Sequence, residues 1–219
     1  MIRIDAPAYP VLIGRDLLGR AAELLPPGRH HLVTDENVAA AGWPERLGLA
    51  PASLHVLPPG EAHKTLDAVT RLADALLDAR IARGDFVLAL GGGVIGDLAG
   101  FAAAILKRGC GFIQAPTTLL AQADAAIGGK TGVNTRHGKN LLGAFHQPAA
   151  VLIDVESLDT LPEYELRAGY AEVVKYGLIG DPAFFAWCET NGAALIAGDA
   201  DARLHAIETA VRAKLATVA

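Results

Sequence analysis

The sequence contains very little cysteine and few aromatic side chains. Cys110 and Cys188 are the only cysteines among 219 residues, and aromatic residues make up 5% of the chain. Two widely separated cysteines without a CxxC pair argue against a disulfide framework, a redox motif or a zinc–cysteine site. We therefore expect the protein to work in the reducing cytoplasm.

A basic surface and a long apolar run are also missing. The formal net charge is -5, which argues against nucleic acid as a partner. The first residues lack the basic start and apolar stretch of a signal peptide. The longest apolar run, residues 98–106, is interrupted by glycine and is too short to span a bilayer. We expect no membrane partner.

Glycine and aliphatic residues are abundant, with 24 glycines and 52% hydrophobic residues. This composition is typical of α/β proteins with tight turns between strands and helices. Short apolar runs predict strands at residues 11–13, 31–34, 54–57, 86–90, 111–115 and 151–153. Helical spacing of apolar residues predicts helices at residues 66–82, 94–107, 163–178, 183–196 and 202–218.

The pattern changes near residues 155–162, where strands cease and only helices follow. We expect an α/β fold: an N-terminal Rossmann-like domain with a parallel sheet (residues 1–158), followed by the start of an all-helical domain (residues 159–219). The last helix reaches Ala219 without a capping glycine. We therefore expect the natural protein to continue beyond this sequence.

A glycine-rich turn follows the buried strand at residues 86–90 and opens a helix. Gly91, Gly93 and Gly96 fit the pattern GxGxxG, in which backbone N–H groups at a helix start bind a pyrophosphate. The alternative is a tight turn that binds nothing. A typical dinucleotide site has a carboxylate about 20 residues further on, but residues 111–119 contain none. Asp35, at the end of an earlier strand, is the best candidate for binding a ribose, and its alternative role is to cap a helix.

A second polar stretch follows, and glycines are interspersed through it. Backbone donors and ammonium groups in such loops can converge on a phosphate or a carboxylate. The alternative is a solvated surface loop. The polar residues of this stretch are Asp124, Lys130, Thr131, Asn134, Lys139, Asn140 and His146.

One predicted helix carries charged residues on a single face. Glu165, Glu172 and Lys175 are separated by seven and three positions. Glu172 lies among apolar neighbours, where a carboxylate needs a metal or a cationic partner. The simpler interpretation is an ion pair between Glu172 and Lys175 within the helix.

Taken together, these segments resemble the 3-dehydroquinate synthase family. The resemblance extends over the whole sequence, and the details GGKTGVN and GAFHQP favour this family over the aminocyclitol-forming cyclases. The matching stretches are residues 59–65, 91–97, 116–118, 128–134, 138–148 and 169–178.

The resemblance implies an NAD- and metal-dependent lyase of the shikimate pathway, which makes precursors of the aromatic amino acids. Such an enzyme converts 3-deoxy-D-arabino-heptulosonate 7-phosphate, a small sugar phosphate, into 3-dehydroquinate and phosphate. NAD oxidises the substrate transiently, phosphate leaves, and NAD is regenerated before the ring closes again. A divalent metal, zinc or cobalt, and a homodimer are also implied.

The resemblance also assigns residues to the site. It places Asp124, Lys130, Asn140 and Lys175 at the substrate, Arg108 at the substrate phosphate of a neighbouring subunit, and Glu172 as a metal ligand. The residues that it places at NAD are Asp35, Glu61, Lys64, Gly92, Gly93, Val94, Ile95, Gly96, Asp97, Thr117, Thr118, Lys130, Lys139 and Thr160.

The family's remaining metal ligands are two histidines in a later part of the helical domain, and nothing after Glu172 matches them. We therefore expect the 219-residue chain alone to be inactive, because a catalytic zinc usually has three protein ligands. Three interpretations stay open: part of an ordinary synthase, a non-catalytic NAD-binding or dimerisation module, or another sugar-phosphate cyclase or a distantly similar polyol dehydrogenase.

Overall fold

The computed structural model describes residues 1–218, and most of its strands form one sheet. The strands of this sheet are β1 (Ile2–Asp5), β2 (Pro10–Gly14), β3 (His30–Asp35), β4 (Ser53–Leu57), β5 (Phe86–Gly91), β6 (Gly111–Pro116) and β9 (Ala150–Asp154). Their spatial order is β1-β2-β9-β6-β5-β3-β4. All neighbours are parallel except β1 and β2. Two further strands, β7 (Lys130–Thr135) and β8 (Gly138–Phe145), form a separate antiparallel hairpin.

Helices connect the strands and then continue alone. The α-helices are α1 (Ala21–Leu24), α2 (Glu36–Ala40), α3 (Trp43–Arg46), α4 (Leu66–Asp78), α5 (Gly93–Ile105), α6 (Glu163–Gly180), α7 (Pro182–Ile196) and α8 (Ala200–Val218). Short 3-10 turns occur at Leu18–Arg20, Glu61–His63, Leu106–Arg108 and Val155–Thr160. A single π-helical turn occupies Ala121–Ala125.

Strand β5 shows why the sheet is covered on both faces. Side chains alternate along a strand, so Val87 and Ala89 lie on one face while Leu88 and Leu90 lie on the other. Val87 and Ala89 pack against α4 and α5. Leu88 and Leu90 pack on the opposite side with Trp43 and the short helices near the N-terminus. A strand that is apolar on both faces therefore fits the centre of a parallel sheet.

The three C-terminal helices pack on the same face of the sheet as α5, but nearer to its β1 edge. Val11, Val151 and Ile153 form one core cluster with residues of α6, α7 and α8. Val151 pairs in register with Gln114, which lies on the same face of β6 as Phe112 in the α5 cluster. The helical segment is thus attached to the sheet by a continuous apolar contact.

The predicted α/β class with a mainly parallel sheet is confirmed, and residues 163–218 contain only helices, as predicted. Three strands were not predicted: β1, which is antiparallel to β2, and the β7–β8 hairpin in the stretch interpreted as polar loops. The domain boundary near residue 158 remains a prediction. Among residues 1–218, no helix combines the length and the hydrophobicity that crossing a bilayer requires.

Candidate functional site

A large cleft opens at the carboxyl ends of the parallel strands. Strand β3 ends at Asp35, and β5 and β6 end side by side at Gly91 and Pro116. This edge of an open parallel sheet is the usual position of a ligand site in α/β proteins. We define the cleft by the residues that line its volume of about 870 Å³, among them Asp35, Lys64, Gly92, Val94, Asp97, Thr118, Lys139, Asn140, Thr160 and Glu165.

The glycine turn lies at the bottom of this cleft. Gly92 precedes α5 without a side-chain cap, so the first N–H groups of the helix have no cap acceptor. A Cβ atom on Gly91 would lie 2.7 Å from Ile95, and one on Gly92 would lie 3.0 Å from Thr118. A larger residue at position 91 would therefore collide with the first turn of α5, and one at position 92 with the segment that follows β6. The exposed N–H groups and the helix dipole suit an anionic group.

Gly96 has a different role from Gly92 and Gly93. It does not line the cleft, and a Cβ atom there would lie 2.6 Å from the Gln114 side-chain oxygen. This glycine lets α5 approach β6 closely, which is the role of the third glycine in the GxGxxG pattern.

Asp35 performs one of the two roles that the sequence left open, and its position leaves the other possible. Its Oδ1 accepts hydrogen bonds from the N–H groups of Asn37 and Val38, at 2.9 and 3.0 Å, and so caps α2. Asp35 also lines the cleft. The N-cap role is therefore present, and the carboxylate also lies where a ribose could contact it.

A buried ion pair crosses the cleft wall between Lys64 and Asp97. Lys64 is only 4% exposed, and its Nζ also donates a hydrogen bond of 2.6 Å to Asn140 Oδ1. Burial raises the pKa of Asp97, and the contact with Lys64 offsets this only in part. Asn140 has a left-handed backbone, with φ of 58°, and its N–H bonds to Asn134 Oδ1. The tip of the hairpin is thereby attached to the cleft.

Weaker contacts complete the cleft rim. Lys139 is 76% exposed and lies 3.9 Å from Glu61. Trp43 donates a hydrogen bond of 2.8 Å from Nε1 to Thr160 Oγ1, which connects the N-terminal helices to the turn before α6. The other predicted NAD contacts that line the cleft are Glu61, Gly93, Ile95 and Thr117.

A second group of polar residues adjoins the cleft, and we call it the Asp124 cluster: Asp124, Glu172, Lys175, Tyr176 and Lys214. Asp124 Oδ1 accepts hydrogen bonds from Tyr176 at 2.5 Å, Lys214 at 2.8 Å and Lys175 at 3.4 Å. Lys175 also forms an ion pair with Glu172. Asp124 lies in the π-helical turn, a local geometry that is frequent at functional sites.

Two observations place the Asp124 cluster beside the cleft. Ala125, the neighbour of Asp124, lines the cleft. A Cβ atom on Gly93 would lie 3.4 Å from Ala125, so the glycine turn touches the π-helical turn. A dinucleotide bound at the glycine turn would therefore lie close to the Asp124 cluster.

Charge pairing keeps the Asp124 cluster ionised. Burial alone would raise the pKa of Asp124, but hydrogen bonds from Lys214 and Tyr176 and the charge of Lys175 outweigh it and lower this pKa. Burial alone would lower the pKa of Lys175, but Glu172 and Asp124 outweigh it and raise this pKa. Asp124 thus presents a carboxylate, with the Lys175 ammonium group beside it, at neutral pH.

Two of the predicted substrate residues lie apart from both the cleft and this cluster. Lys130 is exposed at the start of β7. Arg108 is exposed in a turn where both Lys107 and Arg108 have left-handed backbones, with φ of 50° and 67°. Within residues 1–218, neither Lys130 nor Arg108 forms an ion pair.

The sequence reasoning missed Tyr176 and Lys214. Tyr176 follows Lys175 and was hidden among the apolar residues of the predicted helix. Lys214 is 90 positions from Asp124, so no local spacing connected the two. The signal that could have found Lys214 is a single lysine on the partly buried face of a helix, which needs a buried partner.

The simpler interpretation of Glu172 as the partner of Lys175 agrees with the contacts. Within residues 1–218, no group of three or more histidine, cysteine, aspartate or glutamate residues is arranged to hold a metal ion. Glu172 is therefore the one predicted metal ligand that these residues supply.

Two family profiles together match residues 54–219 of the chain. The profile described as 3-dehydroquinate synthase N-terminal matches residues 54–168, and the profile described as 3-dehydroquinate synthase C-terminal matches residues 169–219. The chain belongs to the 3-dehydroquinate synthase family. The 3-dehydroquinate synthase of Rhodospirillum rubrum is 58% identical over 97% of this chain. The chain spans 57% of the length of that relative.

Two solved structures of similar fold carry ligands of the expected classes. The 2-epi-5-epi-valiolone synthase of Streptomyces hygroscopicus, with NAD+ and Zn2+ bound, is 33% identical, with a TM-score of 0.88 over 99% of this chain and 62% of that one. A 2-deoxy-scyllo-inosose synthase complexed with carbaglucose-6-phosphate, NAD+ and Co2+ is 29% identical, with a TM-score of 0.70 over 80% of this chain and 51% of that one. This 3-dehydroquinate synthase family member thus shares its fold with these two synthases.

Proposed function

We propose that the protein acts as a 3-dehydroquinate synthase, which converts 3-deoxy-D-arabino-heptulosonate 7-phosphate into 3-dehydroquinate and phosphate. The observation that carries this proposal is the position of the Asp124 cluster directly beside a cleft built on a glycine turn. A hydride acceptor in the cleft and an anionic sugar beside it would then be in contact. The higher identity to the Rhodospirillum rubrum synthase than to the valiolone synthase favours this reaction over other cyclisations.

The cleft residues fit NAD. Gly92, Gly93 and Val94 would bind the pyrophosphate with backbone N–H groups at the start of α5, where the helix dipole is favourable. Asp35 would accept hydrogen bonds from a ribose hydroxyl group. Thr117 and Thr118, which directly follow β6, would line the opposite side of the glycine turn. When bound, NAD accepts a hydride from the substrate and returns it later in the cycle.

The Asp124 cluster fits an anionic, polyhydroxylated substrate. Lys175 and Lys214 would attract the carboxylate or phosphate, and Asp124 would accept a hydrogen bond from a sugar hydroxyl group. Asn140 lines the cleft from the hairpin, where its contact with Lys64 orients its amide. Lys130 would contribute a further cation from the start of β7.

We also propose a divalent metal as a cofactor, with Glu172 among its ligands. The support is the Zn2+ and Co2+ bound to the two solved cyclases. The described residues contribute only this one ligand, so no catalytic step is derived through the metal. That residues 1–219 alone do not turn over substrate stays a prediction, which an assay of that polypeptide beside the full-length natural protein would test.

The activity is tested by phosphate release from the full-length natural protein in the presence of NAD and zinc. We expect release from 3-deoxy-D-arabino-heptulosonate 7-phosphate and none from a hexose 6-phosphate. Release from the hexose 6-phosphate alone would indicate another cyclase. Tight NAD binding without release from any sugar phosphate would indicate a non-catalytic module.

The NAD site is tested by Asp35→Asn with calorimetric titration. Asparagine keeps a side-chain oxygen that can cap α2, so the substitution removes the charge with little effect on the helix. We expect the Kd for NAD to rise about tenfold, because a hydrogen bond to a charged group contributes about 1.5 kcal/mol or more. Asp154→Asn is the matched control, since Asp154 also ends a strand and accepts from a backbone N–H but does not line the cleft. Equal Kd values for the two variants would remove Asp35 from the site.

We further propose a cytoplasmic homodimer in which Arg108 reaches the substrate phosphate of the neighbouring subunit. The support is the exposed position of Arg108 in a turn away from the Asp124 cluster. Mixing Arg108→Ala with Asp124→Asn subunits tests it. Random reassociation should restore about a quarter of wild-type activity, because half of the dimers are mixed and each keeps one intact site. No recovery in dimers that demonstrably exchange subunits would place Arg108 in its own site or in none.

A further inference from the structure

Tyr176 makes two contacts within the Asp124 cluster. Its hydroxyl group donates a hydrogen bond of 2.5 Å to Asp124 Oδ1, and Lys175 Nζ lies 4.7 Å from the centre of its ring. Tyr176 is only 7% exposed, so the surrounding residues hold its side chain in place. One buried side chain thus touches both the carboxylate and one of the two ammonium groups.

The hydrogen bonds to Asp124 from the described residues are all accepted by one of its two carboxylate oxygens. Tyr176, Lys175 and Lys214 all donate to Oδ1. No side chain or backbone group of residues 1–218 donates to the second oxygen, Oδ2. A carboxylate can accept several hydrogen bonds on each oxygen, so Oδ2 keeps its acceptor capacity.

We propose that Tyr176 is a positioning residue, which fixes Asp124 through Oδ1 so that Oδ2 is presented to a hydroxyl group of the sugar substrate. This inference rests on the proposed function, because it takes a polyhydroxylated sugar as the ligand. Tyr176 itself touches neither substrate nor NAD in this arrangement. It acts through Asp124 and, with its ring face, through Lys175.

The two lysines cannot do this work alone. An anionic sugar phosphate competes with Asp124 for Lys175 and Lys214, and each ammonium group that turns toward the substrate loosens its contact with Oδ1. The Tyr176 hydroxyl group is neutral, and burial together with its bond to Asp124 raises its pKa, so it stays a donor. It therefore holds the carboxylate when the substrate attracts the cations.

Tyr170 provides a matched control on the same helix. Its hydroxyl group donates a hydrogen bond of 2.7 Å to the backbone carbonyl of Cys188 in α7, away from Asp124. Tyr170→Phe and Tyr176→Phe each remove one hydroxyl group and one hydrogen bond from α6. The two variants differ in whether the lost partner belongs to the Asp124 cluster.

The test measures kcat and KM for the sugar phosphate, the Kd for NAD and the melting temperature in the full-length natural protein. We expect Tyr176→Phe to lower kcat/KM by about ten- to a hundredfold, because small misplacements of a site residue have effects of this size. Its Kd for NAD should stay at the wild-type value, since Asp124 does not line the cleft. Tyr170→Phe should change neither kcat/KM nor the Kd for NAD, even if it lowers the melting temperature.

Equal kcat/KM values for the two variants, or losses that follow the melting temperature, would overturn the proposal. If the wild-type protein releases no phosphate, the proposed function fails, and crystal structures of the two variants decide the positioning role separately. An Asp124 carboxylate that rotates or becomes disordered in Tyr176→Phe but not in Tyr170→Phe would support it. An unchanged carboxylate in both would overturn it.

Discussion

The two ends of the parallel strands both carry buried polar groups, but they use them in opposite ways. At the amino ends, Asp85 Oδ2 accepts from Ala82 N–H at 2.7 Å and contacts His31 Nε2 at 3.3 Å. Ser53 Oγ then lies 2.7 Å from both His31 Nδ1 and His55 Nε2. These groups bond to one another in a chain, so the amino-end network is closed.

At the carboxyl ends, the polar groups keep unused capacity. The N–H groups at the start of α5 have no side-chain cap, and Asp124 accepts its bonds from the described residues, 1–218, on one oxygen. Lys64 and Asp97 form the exception, because they pair with each other in the cleft wall. Binding capacity at the carboxyl ends therefore comes from incompletely satisfied groups, whereas the hydrogen-bonded chain at the amino ends contributes to stability. Three substitutions test this division.

The largest effect is expected for Lys64→Met in the cleft wall. This substitution leaves the Asp97 carboxylate partly buried without its cation, and breaking a buried pair costs about 3 kcal/mol or more. Because Asp97 can take up a proton instead, we expect the free energy of unfolding in urea to fall by about 2–3 kcal/mol. The Kd for NAD should also rise, because the wall of the cleft is disturbed.

Lys139→Met is the control for Lys64→Met. Lys139 is also a cleft lysine, but its side chain is 76% exposed and its ion pair with Glu61 is long, at 3.9 Å. Exposed ion pairs contribute about 0–1 kcal/mol, so the free energy of unfolding should change little. A similar loss of stability in both variants would contradict the ion pair as the cause. Adding Asp97→Asn to Lys64→Met should recover part of the stability, which measures the coupling of the pair.

A smaller effect, confined to stability, is expected for Asp85→Ala at the amino ends. The fully buried ring of His31 then loses an acceptor, and an unsatisfied buried donor costs about 1–3 kcal/mol. The N–H of Ala82 also loses its acceptor, but Ala82 is exposed and can bond to water instead. The Kd for NAD should be unchanged, because β5 separates Asp85 from Gly91 by roughly 20 Å at about 3.3 Å per residue. Weaker NAD binding at equal folded fraction would show that the two ends of the sheet are not independent.

Much of the sheet and of the site at its carboxyl ends could be predicted from the sequence, since both depend on local patterns. Short apolar runs predicted every strand of the parallel part of the sheet. The signal is clearest for buried strands such as β5 and β9, whereas the edge strand β4 is only partly buried. The glycine turn and Asp35 were placed at the carboxyl edge because each lies where a predicted strand ends. The resemblance supplied Asp124 and Lys175, which lie together in the structure.

The parts that were missed depend on contacts between distant residues or on weak local signals. The β7–β8 hairpin contains glycine and charged residues instead of alternating apolar ones, so it was interpreted as loops. Lys214 reaches Asp124 only because α8 packs beside the π-helical turn. The amino-end network joins Asp85 to His31 across 54 positions, and no spacing rule connects them.

The smallest effect is expected in the pH dependence of stability, which arises from the amino-end histidines. His30 is 8% exposed, stacks on Phe86, and its Nε2 has no hydrogen-bond partner in residues 1–218. Burial lowers the pKa of His30, which a hydrogen bond with Pro26 offsets only in part. Burial and the nearby His31 also lower the pKa of His55.

The sign of this dependence follows from proton binding. Both pKa values are lower in the folded state, so the unfolded chain binds more protons below about pH 6.5. Stability is therefore complete above that pH and is lost as the pH falls through the folded pKa values. One differential proton corresponds to about 1.4 kcal/mol per pH unit.

We expect His30→Phe to reduce the slope of the unfolding free energy between pH 6.5 and 5 by part of that amount, as measured by urea titrations. The lowered pKa of Asp85 acts in a separate window below about pH 4. Phe86→Leu disturbs the same stacking without removing a titrating group, so it should lower stability while leaving the slope unchanged. An equally reduced slope in Phe86→Leu would assign the pH dependence to packing at the amino ends and not to His30.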